Sequence, residues 1–289
     1  TYVRPNEKGV VTADAVEAAI REDTGLVSVM YVNNETGAVN NIHAIGQICK
    51  IHSAFFHTDC VQAAGQFPID VDADYIDFAS ISSHKLYGPK GVGALYVRDK
   101  NFSPLISGGA EQEFGVRGGT ENVYGIVGFG KACELAKENL RENNIQLSIL
   151  KQKFYTKLMN ELQELGIGRE SVHVNGRPVI ESGKTLNLCF SGVDAETMLL
   201  MLNTKGVYVS AGSACSSHEA KPSHVLLAMG LTPEEARSSL RFSFSKYNTD
   251  NEMECAAQII ASCIFALQRI AREVPDENME DSSDLGDVR

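Results

Sequence analysis

Asp59, Gln62, Lys85 and Cys215 are the side chains whose types and spacing point to chemistry. Lys85 stands in Ser82-Ser83-His84-Lys85-Leu86-Tyr87-Gly88-Pro89-Lys90-Gly91, after the apolar run 75–81 and just ahead of a Gly-Pro turn. Asp59 closes an earlier run, Phe55-Phe56-His57-Thr58-Asp59, and another apolar run extends from Val92 to Val97. An amine at one strand end and a carboxylate at a neighbouring one suit pyridoxal phosphate. The lysine forms a Schiff base with the aldehyde, and the carboxylate keeps the pyridine nitrogen protonated so that the ring accepts electrons. Gln62 follows Asp59 by three residues, one turn into a following helix and within reach of the same ligand. A Ser-His-Lys triplet alone says little, because most lysines are solvated surface groups. Its conjunction with Asp59 and Gln62 gives it weight.

Cys215 lies in Ser210-Ala211-Gly212-Ser213-Ala214-Cys215-Ser216-Ser217-His218, among small side chains that offer a thiol no packing role. Cys189 and Cys263, by contrast, have the apolar neighbours of buried structural cysteines. A reactive thiol fits the first setting. Gly108-Gly109 and Arg117-Gly118-Gly119-Thr120 read either as plain loop or as a phosphate cradle of backbone amides and a hydroxyl.

The elements that must position these groups alternate between helix and strand. A helix is expected over 12–21, with Thr12 as N-cap and apolar Val16, Ala19 and Ile20. The β-rich run 26–32 stops at the turn composition Asn33-Asn34-Glu35-Thr36-Gly37, and an amphipathic helix over 42–52 leads into a strand at 54–58. This order predicts an α/β fold with a mostly parallel sheet and ligands at the carboxyl strand ends, where Asn34, Asp59 and Lys85 fall. From Val123 to about Leu165 the pattern is long and helical, with Leu147, Leu150, Phe154, Leu158, Leu162 and Leu165 as a packing stripe. A second α+β segment follows, with strands near 185–190 and 240–243 and helices near 195–202, 222–229 and 252–272. The expected division is a large domain over 1–140, a small domain carrying the cysteine loop over 141–273, and an acidic disordered tail over 274–289.

Composition narrows the class. With 289 residues, 43% of them hydrophobic, the chain can bury a substantial core. A net charge of −11 argues against nucleic acid as the main partner. No apolar stretch approaches membrane-spanning length, and no signal-peptide pattern opens the chain. The seven scattered cysteines, without CxxC spacing, suggest reduced thiols and a cytoplasmic setting rather than a disulfide framework or a metal site.

Taken together, these motifs resemble the cysteine desulfurases, fold-type I pyridoxal phosphate enzymes of the class V aminotransferase group, over Thr1 to about Arg272. Tyr31 to Gly37, His57-Thr58-Asp59 with Gln62, Ser82 to Gly91, Arg117 to Asn122, Ser210 to Ser216 and Ser239-Leu240-Arg241-Phe242-Ser243 carry the resemblance. It implies that Lys85 anchors the cofactor and shuttles a proton, its amine made less basic by the cationic cofactor and by desolvation. Asp59 would pair with the pyridinium nitrogen, and Gln62 would bond the ring oxygen. Ser82 and His84 would hold the phosphate, joined by Thr120 from a second subunit. Arg241 would clamp the substrate carboxylate with help from Asn34, and Cys215 would take sulfur from L-cysteine as a persulfide. The implied assembly is a homodimer that passes sulfur to an acceptor such as an iron–sulfur scaffold protein.

The resemblance also implies an upstream segment with a Gly-Ala-Thr-type phosphate turn and a ring-stacking histidine, neither of which occurs here. The chain therefore reads as the larger, C-terminal part of such an enzyme, with exposed sheet edges, an organellar targeting peptide left open, and weak cofactor retention expected. Of the seven histidines, none is expected to substitute. His57 reads as structural, on the strand face away from Asp59. Selenocysteine lyase, a transaminase with an incidental Cys215, and a non-catalytic partner of a full-length subunit are the competing readings.

Overall fold

Leu26–Met30 (β1), Phe55–Asp59 (β2) and Phe78–Ser82 (β3) pair in parallel, and Gly93–Val97 (β4) closes the sheet antiparallel in the order β1-β2-β3-β4. The computed structural model describes residues 1–99, 112–211 and 222–273. Gly108-Gly109, Cys215 with most of its Ser/Gly loop, and the acidic tail lie outside the described residues.

Parallel strands need a crossover, and the helix Ile42–Ile51 (α2) supplies the one between β1 and β2. Its start is fixed by Asn41, whose side-chain oxygen accepts from the Ala44 backbone N–H at 3.1 Å. Thr12 caps Ala13–Ala19 (α1) in the same way. Ile42, Ile45 and Cys49, spaced three and four apart, bury one α2 face against Phe56, Ile76 and Ala79. Full burial of one such isoleucine contributes ~1.5–3 kcal/mol.

Among the described residues, one face of this sheet is packed and the other is largely open. Val27, Val29, Phe56, Ala79, Ile81 and Tyr96 point into that core. The register places Leu26 beside Phe55, Ser28 beside His57 and Ser80 beside Leu95 on the other face. There Leu26, Phe55 and Leu95 are each more than half exposed, and β1 is an edge among the described strands. The expected open edge and apolar surface are therefore present.

The long helical segment is two helices, Val123–Glu138 (α3) and Leu140–Glu164 (α4), rather than one. Asn139 breaks it: its side-chain Nδ2 donates to the Leu135 carbonyl at 2.8 Å, closing α3 from its own end. Leu147, Leu150, Phe154, Leu158 and Leu162 then face the second sheet, as their spacing requires.

That sheet is antiparallel throughout. It contains Val172–Val174 (β5), Thr185–Phe190 (β6), Ser210–Ala211 (β7) and Ser239–Ser243 (β8), in the order β5-β6-β8-β7. Every β6 residue is buried, with Ala195–Thr204 (α5), α4 and Asp250–Glu273 (α8) contributing to the surrounding core. The short helices His224–Ala228 (α6) and Pro233–Arg237 (α7) pack beside it around Leu226 and Ala236. One expectation changes here. Asp250–Ile270 in α8 is long and apolar enough to cross a membrane, by length and composition. Its Met253, Ala257, Ile260, Ala261 and Ile264 are nevertheless spent on the core against α4 and α5.

Gly88 lets the Lys85 turn approach α3. A Cβ there would clash with Ser83 Oγ and stand 3.0 Å from the Ala132 Cβ, with the Ser83 carbonyl 3.2 Å away. Gly88→Ala is expected to lower stability by ~1–3 kcal/mol in urea unfolding. Gly130→Ala, in α3 with open space at its Cβ, is expected to raise it by up to ~1 kcal/mol.

Candidate active site

The parallel register sets the site. Met30, Asp59 and Ser80 stand abreast at the carboxyl ends of β1, β2 and β3, and Ser82 lies one pleat further on. Asp59 is half-buried, and its Oδ1 accepts from the Val61 backbone N–H at 2.8 Å. Among the described residues Oδ2 has no hydrogen bond, so one carboxylate oxygen is oriented and the other is available. Gln62 is half-buried in the following turn, where its carbonyl accepts from Gln66 Nε2 at 2.6 Å.

Beyond β3 the chain tightens into a 3₁₀ turn, Ser83–Leu86, ended by Tyr87 at φ +64°. Ser82 Oγ and His84 Nδ1 are 2.8 Å apart, which brings the two expected phosphate ligands together. Lys85 projects from the same turn with its side chain exposed. The desolvation expected of it is therefore not produced by burial in this chain.

His57 is not where strand alternation was expected to put it. Residues two apart share a face, so His57 and Asp59 lie on the same side of β2. The ring is 2.7 Å from Ser28 Oγ through Nδ1 and 3.0 Å from Ser80 Oγ through Nε2, bridging three strands. Burial holds the imidazole below the ordinary histidine value, and the Asp59 carboxylate pulls in the opposite direction. A neutral ring donates through one nitrogen and accepts through the other, which suits both serines.

A second group of residues reaches the site from the other sheet. Asn33 Oδ1 accepts from the backbone N–H groups of Glu35 and Thr36 at 2.9 and 3.0 Å, folding the turn after β1. Arg241 on β8 donates from Nη1 to the Asn34 carbonyl at 3.3 Å and from Nη2 to Ser210 Oγ at 3.1 Å. Its Nε is buried with no partner among the described residues. Buried donors are normally satisfied, so a guanidinium with a spare N–H marks a place for an acceptor such as a carboxylate. Asn187 Nδ2 donates to the Glu35 carbonyl, and Ser223 Oγ bonds the buried Glu35 carboxylate.

The structure thus joins Asn34 to Arg241 and Ser82 to His84, and aligns Asp59 with their strand ends. Thr120 is exposed and bonds none of these residues. Among the described cysteines, burial pushes the thiols of Cys49 and Cys60 up to about 11 and about 12, which disfavours thiolate chemistry there. Sequence reasoning missed Ser210 as an arginine partner and the Glu35–Ser223 bond. The first lay within a recognised motif, whereas no local signal marked the second.

Because folding lowers the His57 pKa, the unfolded chain takes up that proton more readily. The His57 contribution to stability is complete above about pH 6.5 and is lost as the pH falls below it. Urea unfolding from pH 7 to pH 5 is expected to show a shallower loss of stability for His57→Gln than for the parent chain.

The fold and these contacts have known counterparts. The family model described as Aminotransferase class-V matches residues 1–255. A protein named cysteine desulfurase IscS from Pseudomonas entomophila is 41% identical over 274 residues, which are 94% of this chain and 65% of that one. The chain thus spans a little less than two thirds of that relative. A solved structure described as a NifS-like protein has a TM-score of 0.80 at 36% identity, covering 91% of this chain and 67% of its own. Another, described as SspA in complex with cysteine, has a TM-score of 0.69 at 38% identity, covering 86% of this chain and 67% of its own.

Proposed function

This chain belongs to the aminotransferase class-V family, and from that premise we propose that it is a cysteine desulfurase acting with pyridoxal phosphate. Its proposed reaction takes sulfur from L-cysteine, releases L-alanine and leaves a persulfide on Cys215 for delivery to an acceptor, such as an iron–sulfur scaffold protein. The observation that carries this reading is the buried, unpartnered Nε of Arg241, joined to Asn34 beside the strand ends that bear Asp59 and Lys85.

The residues present fit the cofactor. Asp59 has one oriented oxygen and one available, and Ser82 and His84 already form a polar pair for a phosphate. When bound, pyridoxal phosphate supplies an electron sink for the carbon next to the substrate amine. The chain supplies the remaining functions. Asp59 would pair with the ring nitrogen, and Gln62 would hydrogen-bond the ring oxygen. Lys85 Nζ would hold the cofactor and move the proton of the substrate α-carbon. Arg241, with two nitrogens already fixed by Asn34 and Ser210, fixes the substrate carboxylate.

The Cys215 thiolate then attacks the substrate sulfur. A sulfur–sulfur bond forms, the carbon–sulfur bond breaks, and its electron pair stays with the carbon, which is protonated to give alanine. Cysteine and enzyme thiol thereby become alanine and enzyme persulfide, with no outside oxidant.

A homodimer completes the reading. Thr120 is exposed, and on adjacent α3 Tyr124 and Val127 are 92% and 68% exposed, an apolar strip of the kind a second copy covers. Thr120 would serve the partner's phosphate from there. The six cysteines within the described residues are all free, in keeping with the proposed reducing, cytoplasmic or organellar setting. Neither nucleic acid nor a membrane is a proposed partner.

Alanine and sulfide release from L-cysteine in the presence of a thiol reductant tests this function. Cys215→Ala is expected to reduce it at least ~100-fold, whereas a transaminase would keep its rate. Arg241→Lys keeps the charge but loses the planar fork, and is expected to raise KM for cysteine by ~10–100-fold. Turnover of selenocysteine alone would assign the lyase instead.

A further inference from the structure

The cleft between the Lys85 turn and the second sheet gathers cations that no acid among the described residues neutralises. Lys184, just ahead of β6, donates from Nζ to the Lys85 carbonyl at 3.1 Å and lies 5.5 Å from the Tyr87 ring centre. Lys246, just after β8, lies 4.9 Å from the same centre, and its backbone N–H donates to Tyr87 Oη at 3.2 Å. Tyr247 meets the Tyr87 ring edge-on at 5.4 Å. Among the described residues, the lysines in ion pairs are Lys131, Lys151, Lys153 and Lys157, so neither Lys184 nor Lys246 has a carboxylate partner.

The electrostatics agree with the geometry. Burial, followed by the neighbouring charges of Lys85 and Lys246, brings the Lys184 amine down to about 8. Contact with an aromatic face offsets part of such a cost, at ~0.5–2 kcal/mol per cation, but it does not supply a counter-charge. Lys184, Lys246, Tyr87 and Tyr247 line a cavity of about 80 Å³, closed on another side by Leu86 and Leu147. One water needs only ~10–15 Å³ on this measure, so a tetrahedral oxyanion has room.

We propose that this cavity binds a small inorganic oxyanion of the sulfate and phosphate class, held between the Lys184 and Lys246 ammonium groups. Bound there, the ion ties the Lys85 turn to the second sheet from the backbone side. The site is separate from the Ser82–His84 pair assigned to the cofactor phosphate and does not depend on the proposed reaction. The titratable groups facing Lys184 are Lys85 and Tyr87 from the turn and Lys246 and Tyr247 from the segment after β8. The lining from α3 and α4 is uncharged.

Thermal unfolding of the cofactor-free chain in sodium sulfate or sodium phosphate, against sodium chloride at equal ionic strength, tests this. At pH 7 the parent chain, Lys184→Arg and the Ser82→Ala/His84→Ala variant are expected to show a saturable rise in Tm with either oxyanion. Adding Lys184→Met/Lys246→Met to the Ser82→Ala/His84→Ala variant, in which the cofactor-phosphate pair is gone, is expected to leave only the unsaturable salt effect common to all variants. In the parent chain the apparent affinity is expected to fall about tenfold between pH 7 and pH 9, as Lys184 loses its proton. Saturable binding that survives when all four residues are replaced would overturn the proposal. So would loss of binding in the Ser82/His84 variant, which would put the ion at that pair, or an equal response to chloride. A saturable response to only one oxyanion would support the site and identify its ligand.

Discussion

The parallel pairing of β1, β2 and β3 is the constraint on which the rest of the molecule depends. It fixes Met30, Asp59 and Ser80 in one row, so that every group emerging just beyond the strands meets the same space. A slip of one residue would turn Asp59 into the core and expose Phe56 and Thr58 in its place. Core packing against α1 and α2 specifies the register, and the other face carries the residues of the proposed chemistry. That division explains why the same face holds both polar groups and the exposed apolar side chains Leu26, Phe55 and Leu95.

The second sheet contributes from a distance in sequence. Arg241 reaches Asn34 across 207 positions and Lys184 reaches Lys85 across 99, so the two turns beyond the first sheet that carry Asn34 and Lys85 are held by cations of the second. The two cations differ in kind. Arg241 has two guanidinium nitrogens bonded and a buried Nε with no partner among the described residues, which suits recognition of a planar carboxylate. Lys184 carries a compact charge whose protonation responds to its surroundings, which suits a loosely specified anion.

What the sequence disclosed follows from how local each signal is. Strand 185–190 and the helices starting near 42, 195 and 252 came from periodicity and caps, and they stand within about two residues of expectation. The break at Asn139 has no mark in the pattern because the charged stretch 134–141 reads as the solvated part of one continuous helix, whereas the asparagine's bond to the Leu135 carbonyl closes the first of two. β5 and β7, at three and two residues, are too short to show a period and exist through their pairing with β6 and β8. His57 shares the face of Asp59, as alternation alone assigns it, and not the opposite face expected of a purely structural histidine. The row of strand-end residues was legible because α/β order dictates it, whereas the Lys184 contact had no local mark. Cys215 lies outside the described residues, and its assigned role rests on the Ser/Gly motif around it.

The most direct measurement is to saturate the chain with pyridoxal phosphate, reduce it with borohydride at pH 7.5 and map the tagged lysine by peptide mass. Lys184 is a fair competitor, because an amine brought down to about 8 offers more free base at that pH than an ordinary lysine. Position in the row of strand ends is expected to decide instead, with the tag on Lys85. A tag on Lys184, or on any lysine away from the ends of β1, β2 and β3, would contradict the assignment.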